Sequence, residues 1–123
     1  MIIREYYWRN IKYPGRLSIS LVFDANTGER IKPVQEVRSR TGAGKDVYDI
    51  TTPVYILRYR RSNSWRANWE IAYVKPSEGR NFRKVWFKDL RPQLQQRILE
   101  ECEKEGIILY PWEEDKHESV PES

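Results

Sequence analysis

Two apolar runs rich in Tyr, Trp, Val and Ile flank Ser62-Asn63-Ser64 in the stretch 52–75, TPVYILRYRRSNSWRANWEIAYVK. β-Branched and aromatic residues suit a pleated, half-buried surface, and Ser and Asn suit a turn, so the pattern predicts a long β-hairpin. Alternate residues of a strand share a face. Tyr55, Leu57 and Tyr59 therefore share one face of the first strand, and Trp69, Ile71 and Tyr73 the matching face of the second. Val54, Ile56, Arg58 and Arg60 form the other face, which turns basic towards the tip. Pairing Tyr55 with Tyr73 sets Val54 opposite Val74, Ile56 opposite Ala72, Leu57 opposite Ile71, Arg58 opposite Glu70 and Tyr59 opposite Trp69. Each pair is apolar with apolar or opposite in charge, worth about 0.2–1 kcal/mol. A slip of two residues would set Ile56 against Glu70 and Arg60 against Arg66, so the first register is the expected one.

Before the hairpin, residues 2–8 read as a first strand and 10–15 as a loop ending in the turn signal Pro14-Gly15. Residues 17–23 give the cleanest half-buried pattern, with Leu17, Ile19, Leu21 and Phe23 on one face and Ser18 and Ser20 on the other. Asp24-Ala25-Asn26-Thr27-Gly28 is a turn, because Asp bonds nearby backbone N–H groups and Gly accepts a positive φ. Residues 31–38 form a return strand with Pro33 inside it; proline removes a ladder donor, which predicts an edge or a bulge. The Gly-rich basic stretch SRTGAGKD, 39–46, fails as a phosphate-binding loop: that motif needs Gly five residues before the GK pair and Ser or Thr after it, and Ser39 and Asp46 hold those positions. It reads as a flexible hairpin connection. A short strand follows at 47–50.

After the hairpin come a turn at 76–79 and a further strand around Phe82, Val85, Trp86 and Phe87, closing a sheet of roughly five to seven strands. Asp89 reads as an N-cap, with Pro92 in the first turn of a helix over 90–105. Leu90, Leu94, Ile98 and Cys102 recur every four residues and Leu99 widens the stripe. Gly106 ends the helix, 107–110 is a short strand, Trp112 anchors the end, and 113–123 is a polar, disordered tail. The chain is thus expected to be α+β: a twisted antiparallel β-sheet, or a partly closed barrel of the same strands, with one long C-terminal helix packed on it. Residues 1–112 form the domain and 113–123 the acidic tail.

Charge changes this picture. Residues 1–98 hold 20 Lys and Arg against 9 Asp and Glu, a balance of +11, whereas 99–123 hold 2 against 9, a balance of −7. A basic body with an acidic end points to a nucleic acid, DNA or RNA, or to an acidic protein partner. No apolar run approaches the roughly 18 residues of a membrane helix. The first ten residues have no signal-peptide core, and a single Cys allows no intrachain disulfide, so no membrane partner is expected and the location reads as cytoplasmic.

Catalytic chemistry finds little support. The only His, His117, lies in the expected tail, and Cys102 lies on the apolar stripe of the helix. One Cys and one His make no zinc cluster, and no cofactor is expected. Asp46, Asp49, Glu70 and Asp89 are the carboxylates that a Mg²⁺ nuclease would need. Glu70 is better explained as the partner of Arg58 and Asp89 as a cap, and Lys75 is out of register for the usual acid-then-Lys strand spacing. The expected function is a small, non-catalytic nucleic-acid-binding module. Its candidate contacts are Arg58, Arg60, Arg61, Trp65 and Arg66 at the hairpin, with Arg80, Arg83 and Lys84 on the next strand as one continuous basic surface. Trp65 either stacks on a base or plugs a partner's pocket, or else folds back over the sheet. The alternative is an interaction or assembly subunit, a homo-oligomer included, docking through the hairpin and the acidic end, with strand pairing at the 31–38 edge in support.

Overall fold

The computed structural model of the chain describes residues 1–8, 20–38, 43–61 and 67–105. In chain order they form β1 (Ile2–Trp8), β2 (Ser20–Asp24), β3 (Arg30–Ile31), β4 (Gln35–Arg38), β5 (Ala43–Asp49), β6 (Val54–Arg61), β7 (Ala67–Val74), β8 (Arg83–Val85) and α1 (Pro92–Lys104), with 3₁₀ turns at Pro76–Glu78 and Phe87–Asp89. The class is the expected α+β. The strands make two open antiparallel sheets, β1-β5-β4 and β3-β2-β6-β7-β8, in place of one sheet or a barrel. The backbone divides into two compact units: Met1–Val85 carries the described strands, and Trp86–Ser123 carries the helix.

The β6–β7 hairpin has the register its side chains dictate: Tyr55↔Tyr73, Leu57↔Ile71, Arg58↔Glu70 and Tyr59↔Trp69. Its base is buried on both faces. Val54, Ile56 and Val74 join Ile3, Val22, Tyr48 and Ile50 in one core cluster drawn from both sheets. On the reverse face Leu57 and Ile71 are buried as well. The face that turns basic towards the tip therefore starts as core at Val54 and Ile56. β2, expected to be half-buried, is buried on both faces: Val22 is as inaccessible as Leu21 and Phe23, because its face packs into the core cluster with Ile3, Tyr48 and Ile50. Each such side chain withdrawn from water contributes about 1.5–3 kcal/mol.

The turn after β2 forms as its residues demand. Asp24 Oδ1 accepts hydrogen bonds from the backbone N–H of Asn26 (2.7 Å) and Thr27 (3.1 Å), and Gly28 takes φ of 77°. The return strand divides at Pro33. Arg30–Ile31 pairs with β2, whereas Gln35–Arg38 pairs with β5 in the other sheet. Both pieces are edges, as a proline-containing strand requires, but the chain changes sheets there instead of bulging within one. Val34 N–H donates to the Val47 carbonyl at 2.8 Å just beyond the switch. The Gly-rich stretch is shorter than expected: residues 43–46 belong to β5, held between β1 and β4.

In the three-stranded sheet β5 is central. Tyr48, opposite Ile3, is buried, and its phenol is pushed above the usual range by that burial first, then by Asp46; Glu5 and Glu36 act in the same direction and Arg30 opposes them. Register sets Glu5 and Glu36 each directly opposite Asp46, so three carboxylates form one row across the sheet.

In the second unit, Phe87 begins a 3₁₀ turn and is not part of a strand. Pro92 opens the helix as expected, but Arg91 is the N-cap, and Asp89 ends the 3₁₀ turn two residues earlier. The entry is tied by Gln95, whose Nε2 donates to the Leu90 carbonyl at 2.8 Å. Leu94, Ile98 and Cys102 are buried, whereas Leu99 is 42% exposed and does not widen the stripe. Glu101 takes that place, its charge met by Lys104 Nζ at 2.9 Å. Among the described residues no helix is long and apolar enough to cross a membrane. The expected loop at 10–15, Leu17 and Ile19, residues 39–42, the Ser62-Asn63-Ser64 turn, Gly106, the strand at 107–110, Trp112 and the tail 113–123 lie outside the described residues.

Candidate nucleic-acid interface

The expected cationic residues lie on β6, on the β7–β8 connection and on β8. After β7, Pro76–Glu78 form a 3₁₀ turn closed by Gly79, whose φ of 68° lets the chain reverse without strain. β8 then pairs with β7, Tyr73 opposite Arg83 and Ala72 opposite Lys84. The spatial neighbourhood expected of consecutive strands is therefore formed.

Alternation along β8 splits the cations between two sheet faces. Arg83 lies on the face of Tyr55 and Tyr73. Its guanidinium sits 5.1 Å from the centre of the Tyr73 ring, and that ring lies 5.3 Å from the Tyr55 ring at a tilt of 51°. A cation over an aromatic face gains about 0.5–1 kcal/mol at an exposed site, which favours this placement of the side chain without locking it. Lys84 lies on the opposite face, in line with Ala72, Ile56 and Val22. Arg80 is exposed, and its Nη2 donates to the Ile2 carbonyl at 3.5 Å, joining the β7–β8 turn to β1.

Arg58 has a different environment. Its Nη2 donates to Glu70 Oε1 at 3.1 Å, and its guanidinium lies 5.2 Å from the centre of the Phe82 ring. The pair is largely withdrawn from water, with side-chain exposures of 28% and 15%. Arg58 Nε is buried with no hydrogen-bond partner among the described residues. This arginine neutralises a carboxylate and covers an aromatic ring at the margin of the core.

Of the remaining candidates, Arg60 and Arg61 are described as backbone only, opposite Asn68 and Ala67. Trp65 and Arg66 lie outside the described residues. No group of three His, Cys, Asp or Glu able to hold a metal ion occurs among the described residues. The chain matches no known protein-family model, no curated protein and no solved structure.

The arrangement offers charge and stacking together. Arg83, Tyr73 and Tyr55 form a ledge at the β8 edge, with exposed Lys75 and Arg80 on the adjoining turn. Tyr55 and Tyr73, read from the sequence as core, are half-buried and accessible. The signal that would have found them is the β7–β8 register, which puts an arginine opposite Tyr73.

Proposed function

We propose that this chain is a non-catalytic nucleic-acid-binding module that engages single-stranded DNA or RNA along the β8 edge and the tip of the β6–β7 hairpin. The observation that carries this reading is Arg83 lying over Tyr73 at the β8 edge, with exposed Arg80 and Lys75 on the adjoining turn and exposed Lys84 on the other face. A guanidinium grips phosphate through a bidentate fork, and both it and the tyrosines present flat surfaces to a base. The balance of +11 over residues 1–98 draws polyanions from a distance. Within this reading Arg58 is a positioning residue, since Glu70 and Phe82 already engage it. Arg80, Arg83 and Lys84, with Arg60, Arg61 and Arg66 at the tip, contact phosphate, and Trp65 stacks.

Fluorescence anisotropy with labelled single- and double-stranded oligonucleotides tests it. Arg83→Ala is expected to weaken binding to all sequences alike while leaving the melting temperature nearly unchanged. Trp65→Ala is expected to weaken single-strand binding selectively by roughly 1–3 kcal/mol, the worth of a stacked base. If both variants bind as tightly as the parent, the cations are a solvated surface and the reading fails.

A further inference from the structure

The two sheets leave four edges among the described residues, and they are not equivalent. β3 is only two residues long. β8 carries Arg83 on one face and Lys84 on the other, like charges that a second copy of the strand would meet. On β1, Arg80 donates to the Ile2 carbonyl. β4 is different: no described strand flanks its outer side, Val37 within it is 48% exposed, and Val34 just before it is 67% exposed. Exposed valines on an open edge provide a template for further strand pairing.

We infer that β4 is a self-association edge, where a second copy of this chain pairs antiparallel about a two-fold axis through Val37. The reason is self-complementarity. With Val37 opposite the partner's Val37, Glu36 falls opposite the partner's Arg38, and Arg38 opposite the partner's Glu36. The axis thus creates one apolar pair and two opposite-charge pairs, each favourable across a strand pair. Moving the axis half a residue, to between Glu36 and Val37, would set Glu36 against a valine and lose both charge pairs. An isologous contact of this kind closes on itself as a dimer and does not propagate.

The row of carboxylates strengthens the choice. Glu5, Asp46 and Glu36 lie in register across β1, β5 and β4, and the row ends at the open edge. Like charges directly opposite one another are unfavourable in a sheet. Pairing at β4 brings the Arg38 position of the neighbouring copy next to that row. The result is a continuous six-stranded sheet, β1-β5-β4 followed by the same three strands of the second copy in reverse order. Three residues of each strand, Glu36, Val37 and Arg38, pair, a small contact that makes a weak dimer, with a dissociation constant on the order of 10 µM. This inference is independent of the nucleic-acid reading.

Sedimentation velocity on the full chain from about 1 to 100 µM tests it, spanning the expected dissociation constant. The parent should shift reversibly from monomer to dimer, and amide exchange at residues 35–38 should slow as concentration rises. Glu36→Arg, which sets arginine against arginine twice, should raise the dissociation constant about tenfold or more. Combining it with Arg38→Glu should restore the parent value, a rescue that loss of folding cannot imitate. The inference is overturned by a parent that stays monomeric throughout. It is also overturned by a dimer that Glu36→Arg leaves intact, or by a double variant no better than the single.

Discussion

The five-stranded and three-stranded sheets share one core, yet they meet water differently. In β2, β6 and β7 successive residues are buried whichever face they occupy: Leu21, Val22 and Phe23, then Ile56 and Leu57, then Ile71 and Ala72. In β1 and β5 burial alternates in part: Ile3 and Tyr48 are buried, whereas Ile2 and Asp49 are exposed. A strand buried on both faces has no solvent side to advertise a function. Its free chemistry moves to the ends and edges, where Arg80, Arg83 and Lys84 are found. The three-stranded sheet keeps a charged row and, at β4, an edge that no described strand covers.

Truncation should expose the contrast most strongly. Ile56→Ala removes a side chain with no exposure and is expected to cost about 2–5 kcal/mol by chemical denaturation. Ile2→Ala, 39% exposed on the thinner sheet, should cost less than about 1 kcal/mol. Equal losses would remove the distinction between the two sheets.

Next in size is the polar pair at the core margin. Glu70→Ala leaves the Arg58 guanidinium half-buried beside Phe82 without its carboxylate. The expected loss is about 1–3 kcal/mol, between the exposed and fully buried cases. A neutral result by thermal melting would show that Arg58 simply turns to solvent, and it would return Arg58 to the proposed nucleic-acid contacts.

The smallest effect at neutral pH belongs to Tyr48. Folding raises its pKa, mainly through burial. Stability from the neutral phenol is therefore complete below the unfolded value of about 10 and is lost as pH rises from there towards the folded value. Tyr48→Phe should flatten that alkaline loss in a stability-against-pH series. An unchanged alkaline slope would mean that other groups govern it.

The hairpin was legible because the chemistry of its cross-strand pairs selects one register: Arg58 meets Glu70 only when Tyr55 meets Tyr73. The Asp24 turn was legible because an Asx side chain and a following glycine carry their own geometry. Other features depended on partners distant in sequence. Alternation in β2 suggested one wet face, and Val22 on that face is buried by Ile3, Tyr48 and Ile50, all distant in sequence. Pro33 announced an edge, but nothing local told that the chain would leave one sheet for another. Asp89 has the chemistry of a cap, and the intervening 3₁₀ turn moved the helix start past it. Of the candidate interface, the cations were visible in the sequence. Their division between two faces, the capture of Arg58 by Glu70 and the Arg83–Tyr73 stack required the β7–β8 register.

The central claim, that the β8 edge contacts a phosphate backbone, is most directly tested by the salt dependence of binding to a single-stranded oligonucleotide, parent against Arg80→Ala with Arg83→Ala. The parent should show affinity falling steeply and linearly on log–log axes. The double variant should show a slope shallower by about 1.4, two lost phosphate contacts at about 0.7 each for a single strand. An identical slope in the two proteins, or a parent whose binding ignores salt, would contradict the claim.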